Sequence, residues 1–225
     1  MQIIYISMTN MSGVPRGLLS PDIPPTLYDI EFCGTNLTEL PRDLIEKWPM
    51  VVYFYLELSP GITEFPEALR STDTIFPWLS LSSNGITSLP GDIFVNQHFE
   101  ILLLMGNPLT KLPEEAGTVS TITALTIDYS EIADVPASWL GASNQQASRI
   151  YFSAFSTPLC NKFLAARSQA SSMGSAAATS TSTTPGLNSF EEFPWLLIQC
   201  QENAQSKRTA YPLEYELQLR EQNRA

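Results

Sequence analysis

Leu79-Ser-Leu-Ser-Ser-Asn-Gly-Ile-Thr-Ser-Leu-Pro90 decides the fold, because its pattern comes back twice. It returns as Leu102-Leu-Leu-Met-Gly-Asn-Pro-Leu-Thr-Lys-Leu-Pro113 and as Leu125-Thr-Ile-Asp-Tyr-Ser-Glu-Ile-Ala-Asp-Val-Pro136. Further copies keep the pattern with other apolar residues: Ile4, Ile6, Met11, Val14, Pro15, and Ile30, Phe32, Leu37, Leu40, Pro41. One more, aligned on Leu56, Leu58, Ile62, Phe65 and Pro66, reads as one residue short. The marker prolines 15, 41, 66, 90, 113 and 136 are spaced by 26, 25, 24, 23 and 23 residues. A fixed period of this size is the signature of a stacked repeat protein.

Each copy alternates apolar and polar residues at its start, the pattern of a short strand with one buried face. The proline then blocks ladder pairing and turns the chain. The residues after it, as in Pro41-Arg-Asp-Leu-Ile-Glu-Lys-Trp48, suit a helical turn with Leu44 and Ile45 inward. One repeat cannot bury its apolar side alone, so the copies must stack. Seven parallel strands at ~4.8 Å spacing give a stack roughly 30 Å long.

The pattern resembles the leucine-rich-repeat family. The Leu-Pro ending, with an apolar residue three positions on at Leu18, Leu44, Leu69, Ile93, Ala116 and Trp139, is similar to its L-x-x-L-P-x-x-L subclass. The resemblance covers residues 1–160, with a degenerate last copy from Phe152 to Leu159. It implies an α/β solenoid of about six full repeats plus one degenerate. Parallel strands would line the concave face, and short helical or irregular turns the convex face. The family's asparagine is kept only at Asn84 and Asn107. Thr9, Thr35, Ser130 and Thr157 replace it elsewhere, and no clean equivalent is legible near Pro60. Thr157-Pro-Leu-Cys160 looks like the start of a cysteine-containing C-terminal cap, whose implied partner for Cys160 is Cys200. The alternative is two thiols buried as small apolar groups. Cys33 falls on the outward strand face and is expected to stay outside any disulfide.

Beyond the array the composition changes. Residues 161–187 read as a flexible Ser/Ala/Thr-rich segment. Residues 188–225 form a tail in which Phe190, Phe193, Trp195, Leu196, Leu197 and Ile198 are expected to cover the open end of the stack. No capping segment precedes the first repeat. The chain is therefore expected to be a fragment of a longer product; the alternative is self-association through that uncapped N-terminal coil.

Composition narrows the function classes. The 225 residues are 44% apolar and 16% charged, with 12 basic residues against 23 acidic. The net charge of −11 belongs to residues 1–160, which hold 17 acidic and 6 basic residues; the remainder hold 6 of each. Such an array is a poor binder of nucleic-acid backbone and is repelled by anionic membrane surfaces. No apolar run is long enough to insert into a bilayer. His98 is the single histidine, the three cysteines form no C-x-x-C pair, and no phosphate-loop, dinucleotide, zincin or nucleophile-elbow motif is present. No catalytic residue, metal or cofactor is expected.

The outward strand positions are the candidate binding surface. They include Asp29, Glu31, Tyr55, Glu57, Trp78, Leu103 and Asp128, and none is Lys or Arg. Tyr55 and Trp78 are expected side by side, flanked by Asp29, Glu31 and Glu57: aromatic anchors beside charge, the makeup of a protein-binding hot spot. The alternative is cross-strand packing for stability alone. Asn10-Met-Ser12 and Asn36-Leu-Thr38 are glycosylation sequons. The expected function is noncovalent recognition of a protein or peptide with a basic face. The alternative is the sensor or regulatory segment of a larger enzyme, such as a receptor kinase, whose catalytic domain lies outside these residues; a secreted structural or inhibitor protein is a third reading. The sequons and cysteine pair favour an extracellular or cell-surface setting if the chain is a fragment; otherwise the cytoplasm is expected.

Overall fold

The structure, a computed structural model, describes residues 2–70, 76–96, 99–115, 122–140, 150–172, 196–202, 218 and 221–222. Each repeat supplies one strand, and the strands pair in chain order: β1 (Gln2–Thr9), β2 (Leu27–Thr35), β3 (Tyr53–Glu57), β4 (Phe76–Ser80), β5 (Phe99–Leu103), β6 (Ala124–Thr126), β7 (Ile150–Ser153) and β8 (Leu196–Gln199). All pairings are parallel, giving one open, solenoid-like α/β sheet. The expected seven strands are therefore eight among the described residues. The extra one, β8, comes from the tail and pairs with β7 from Ile150↔Leu196 to Ser153↔Gln199. Cys160 and Cys200 are disulfide-bonded, which ties the segment after β8 to the helix after β7.

One face of the sheet builds the core. Ile30, Phe32, Phe54, Leu56, Leu79, Leu81, Leu102, Leu104, Leu125, Ile127, Phe152 and Ala154 are all buried on it. The register Ile30↔Phe54 and Phe32↔Leu56 corrects the phase of the third repeat: its inward pair is Phe54 and Leu56, not Leu56 and Leu58. The repeat is then one residue long rather than short, with the insertion between Ser59 and Ile62. Aromatic rings fill the wide part of this core. Phe54 meets Phe32 at 5.9 Å, Trp48 at 5.3 Å and Phe76 at 6.0 Å between ring centres.

The marker prolines act as turn starters. The carbonyls of Pro15, Pro41, Pro66, Pro90 and Pro136 each accept the N–H of the residue three positions on: Leu18, Leu44, Leu69, Ile93 and Trp139. A proline's fixed φ suits this entry, and its missing N–H is not needed there. The turns carry short helices, α1 (Leu44–Lys47), α2 (Ile93–Asn96) and α3 (Ala137–Leu140), or 3-10 turns at Arg16–Leu19 and Glu67–Leu69.

A second recurrence lies at the opposite end of each strand. Met8, Gly34, Leu58, Ser83, Gly106, Tyr129 and Ser156 all have φ between 49° and 73°. Each sits four positions after the first inward residue of its strand. The left-handed turn is thus imposed on every coil, though only two carry the residue that adopts it without steric cost. At Gly106 a Cβ would also meet Ser83 Oγ at 2.6 Å.

The residue after each left-handed position is the polar one. Asn84 Nδ2 donates to the carbonyls of Leu56 (2.7 Å) and Leu81 (3.0 Å), and its Oδ1 accepts the Ser59 N–H (2.8 Å). Asn107 does the same one coil on, donating to Leu81 and Leu104 and accepting from Ile86. Ser59 fills the place that looked empty near Pro60: its Oγ accepts the Thr35 N–H and lies 2.7 Å from Thr35 Oγ1. Thr157 bonds within its own turn, donating to the Ala154 carbonyl at 2.6 Å.

Thr157 also overturns the expectation of a flexible segment beginning at residue 161. Its Oγ1 accepts the Cys160 N–H at 3.2 Å, an N-cap contact, and Pro158 stands at the first helical position. The helix α4 (Pro158–Ser172) follows, through the helix-forming run Phe163-Leu-Ala-Ala-Arg167. Lys162 anchors it to Asp134 at 2.8 Å. Residues 173–187 and most of the tail lie outside the described residues. Among the described residues, no helix is long and apolar enough to cross a membrane.

Three stability outcomes follow from these contacts. Asn84→Ala strands two buried backbone groups of the preceding coil, the Leu56 carbonyl and the Ser59 N–H, while the Leu81 carbonyl keeps its bond from Asn107, so chemical denaturation should show a loss of roughly 2 kcal/mol or more. Thr157→Ala, which removes bonds within one turn, should lose about 1 kcal/mol. Reducing the Cys160–Cys200 bond, with its sequence separation of 40, should lower stability by about 3–4 kcal/mol. An unchanged denaturation midpoint in dithiothreitol would show that β8 is held without it.

Candidate functional site

The register fixes which side chains stand together on the sheet face opposite the core. One row runs Ile3, Asp29, Tyr53, Trp78, Ile101 across β1 to β5, and the next runs Tyr5, Glu31, Tyr55, Ser80, Leu103. Asp29, Glu31, Tyr55, Glu57 and Trp78 therefore come together on β2, β3 and β4. Tyr55 and Trp78 are neighbours at 6.3 Å between ring centres, with a tilt of 36°. Trp78 is equally close to Tyr53, its partner in register, at 6.0 Å and 47°. Tyr53 in turn meets Tyr28 edge-on at 6.0 Å. Phasing the third repeat two residues late hid Tyr53 from the sequence reading; the aromatic run Tyr53-Phe-Tyr55 is the signal that would have found it.

Leu103 and Asp128 do not join this cluster. Leu103 lies on β5, buried one strand beyond Ser80. Asp128 is a turn residue past β6, and its Oδ1 accepts the Phe155 N–H at 2.8 Å, a structural contact between coils. Cys33 is buried in register with Glu57, not solvent-facing, and takes no part in a disulfide. Asn10 and Asn36 are both exposed, and Asn36 Nδ2 donates to Asn10 Oδ1 across adjacent coils. His98 lies outside the described residues.

The acids of this face are buried. Asp29 is 8% exposed, Glu31 6%, and Glu57 and Asp128 are fully buried. Strand spacing gives the reason. Glu31 stands in register between Tyr5 and Tyr55, a large side chain on each flanking strand. The two flanks are unequal: Tyr5, on the edge strand, is itself 53% exposed.

Burial without a cation sets the ionisation. Desolvation, then the charges of Asp29 and Glu57, push the Glu31 carboxyl up to about 8. Asp29 is raised as well, chiefly by burial, while the hydrogen bond between the two carboxyls pulls it back down. That bond raises Glu31, so the shared proton belongs to Glu31. Tyr5 and Tyr55 are both raised, first by burial and then by the same carboxylates. Glu57 accepts a hydrogen bond from Ser80 Oγ, which lies 2.9 Å from Ser82 Oγ.

Several polar atoms on this face are buried with no hydrogen-bond partner: Asp29 Oδ1, Glu31 Oε2, Trp78 Nε1, Thr126 Oγ1 and Ser153 Oγ. The core side of the sheet contrasts with this. There the Trp48 and Trp139 indoles donate to the Leu18 and Pro113 carbonyls. The paired cations sit off the face, as in Arg70 with Glu67 and Asp92, and Lys162 with Asp134. No cluster of three or more His, Cys, Asp or Glu side chains suited to a metal ion occurs among the described residues.

The sequence matches no protein-family model and no curated protein.

The ionisation has a measurable sign. Below about 4.5, the ordinary value for a glutamate, Glu31 holds its proton in both folded and unfolded chains. Between there and about 8 only the folded chain holds it, so unfolding releases a proton and stability falls as pH rises. Denaturation across this window should show a loss of up to about 1.4 kcal/mol per pH unit from this group. Glu31→Gln should flatten the slope. A slope unchanged in that variant would place the buried proton elsewhere.

Proposed function

We propose that this chain is a leucine-rich-repeat recognition module, not an enzyme by itself, that binds a protein or peptide noncovalently on the sheet face opposite its core. The repeat pattern, the proline-started turns, the left-handed position and the polar ladder behind it all support that family assignment. Fold alone does not fix a function, so the binding reading rests on the site.

The observation that carries it is the set of buried, unpartnered polar atoms on one face. A buried donor or acceptor without a partner costs about 1–3 kcal/mol, and native proteins hold few of them. Here all five lie on the side of the sheet that the core does not use, and three of them, on Asp29, Glu31 and Trp78, belong to the strands that carry Tyr53 and Tyr55 or flank them. A partner laid across the strands would satisfy them and bury the rings, the combination that makes a hot spot. The face is acidic and the described cations lie elsewhere, so the complementary partner is basic.

The test is selection of binding peptides from a random-sequence display library with the whole chain as bait. Trp78→Ala should weaken selected peptides roughly 30-fold or more, about 2 kcal/mol, with the circular-dichroism spectrum and thermal midpoint unchanged. Peptides that bind the variant as well as the parent, or a library that yields none, would remove this face as the binding surface.

A further inference from the structure

We propose that the Asp29–Glu31 pair, framed by Tyr5, Tyr53, Tyr55 and Trp78, is the seat of a single cationic side chain of the partner, a lysine ammonium or an arginine guanidinium. The proposal rests on the recognition reading above and names the chemistry that its centre selects.

Three features converge on one cation. First, each carboxyl keeps one oxygen unpartnered, Asp29 Oδ1 and Glu31 Oε2, in side chains more than nine-tenths buried. Both atoms accept hydrogen bonds, and the long side chains that bring only donors together with a lasting positive charge are those of lysine and arginine. Second, the aromatic frame supplies ring faces. The rings of Tyr53 and Tyr55 are tilted 47° and 36° from that of Trp78, so the three form an angled wall rather than a closed stack. Cations are held by such faces, tryptophan most strongly, and more so when water is excluded. Third, the Trp78 Nε1 donor is buried and unpartnered on the same face, across Tyr53 from Asp29. A peptide that brings a side-chain cation also brings backbone carbonyls that can accept it. A bare metal ion offers no such acceptor, and it needs a closer set of ligands than the described residues provide.

The seat is closed by a proton while the partner is away. Glu31 faces Tyr5 from β1, Asp29 from its own strand, and Tyr53, Tyr55 and Glu57 from β3, none of them cationic at neutral pH. Its raised carboxyl holds the proton that keeps two adjacent acids from carrying full charge. A cation arriving at Glu31 Oε2 restores the ordinary acidity of the group. The Glu31 O–H bond breaks, the proton leaves to solvent, and the carboxylate pairs with the newcomer. Tyr5, half-exposed at the sheet edge, is the side chain that moves aside. Binding of the cation and release of one proton are thus linked, and affinity rises by up to tenfold per pH unit until about pH 8.

The experiment uses the whole chain and three small probes: the N-acetyl methylamides of lysine, arginine and norleucine. The Trp78 indole N–H resonance, assigned by its loss in Trp78→Phe, reports on the seat. The lysine or arginine probe should shift this resonance saturably, with a midpoint that falls as pH rises from 6 toward about 8, and norleucine should not. Calorimetry in buffers of different ionisation enthalpy should show release of about one proton per probe at neutral pH. Glu31→Gln and Asp29→Asn should each abolish the shift. Equal shifts with norleucine, shifts that survive both variants, or the same shifts on addition of calcium chloride alone would overturn the proposal. The two readings separate on library-selected peptides. If binding depends on Trp78 but is indifferent to Glu31→Gln and to replacing each lysine or arginine by norleucine, the cation seat falls and the recognition reading stands. Loss of the Trp78 dependence takes both.

Discussion

Each coil must leave its strand through a left-handed residue, and the backbone groups freed by that turn must be satisfied by the coil beside it. The positions at Met8, Gly34, Leu58, Ser83, Gly106, Tyr129 and Ser156 meet the first requirement. The residues immediately after them meet the second, most completely at Asn84 and Asn107, where one amide side chain serves two coils. A buried backbone group without a partner is far more costly than a bond is beneficial. The stack is therefore held to one register by its turns as well as by its apolar core. Thr157 bonds within its own turn and Ser59 reaches the neighbouring coil only at Thr35, so the middle of the array, at Asn84 and Asn107, is where neighbouring coils share the most bonds.

That fixed register also sets the character of the sheet face opposite the core. Parallel strands carry every side chain to the same height as its partner one coil away. An acid at Glu31 therefore cannot avoid the tyrosines before and behind it, and the aromatic pair Tyr53 and Tyr55 cannot avoid Trp78. In a free strand these residues would be solvated and unremarkable. In the stack Asp29 and Glu31 are buried between strands that carry tyrosines, and each is left with an acceptor unfilled.

Most of the architecture was legible because it depends on spacing. Proline positions, apolar alternation and the polar ladder are periodic, and periodicity survives substitution of individual residues. What escaped was local. The insertion after Ser59 shifted the apolar pattern of the third repeat onto Leu56 and Leu58, which concealed Ser59 as a ladder residue and Tyr53 as part of the aromatic wall. The small polar residues after Cys160 read as a linker, although Thr157-Pro158 is a helix start whose cap overrides the composition that follows. The eighth strand was beyond reach for a different reason. It pairs across a gap of more than forty residues, and no local pattern in Leu196–Gln199 separates a parallel strand from any other short apolar run.

The burial of the acids was not legible at all, and it changes what the negative charge of the array means. A solvated acidic surface attracts any cation weakly and is screened by salt. A carboxyl pair buried between tyrosine-bearing strands behaves in the opposite way. Glu31 keeps its proton at pH values where an exposed glutamate has lost it, and on the proposed reading a partner cation replaces that proton. Discrimination then comes from what a wrong occupant would leave unsatisfied, because an uncharged side chain would bury the two acceptor oxygens with nothing to donate to them. The same chemistry that makes Asp29 and Glu31 an awkward pair for the folded chain alone would make them selective in the proposed complex.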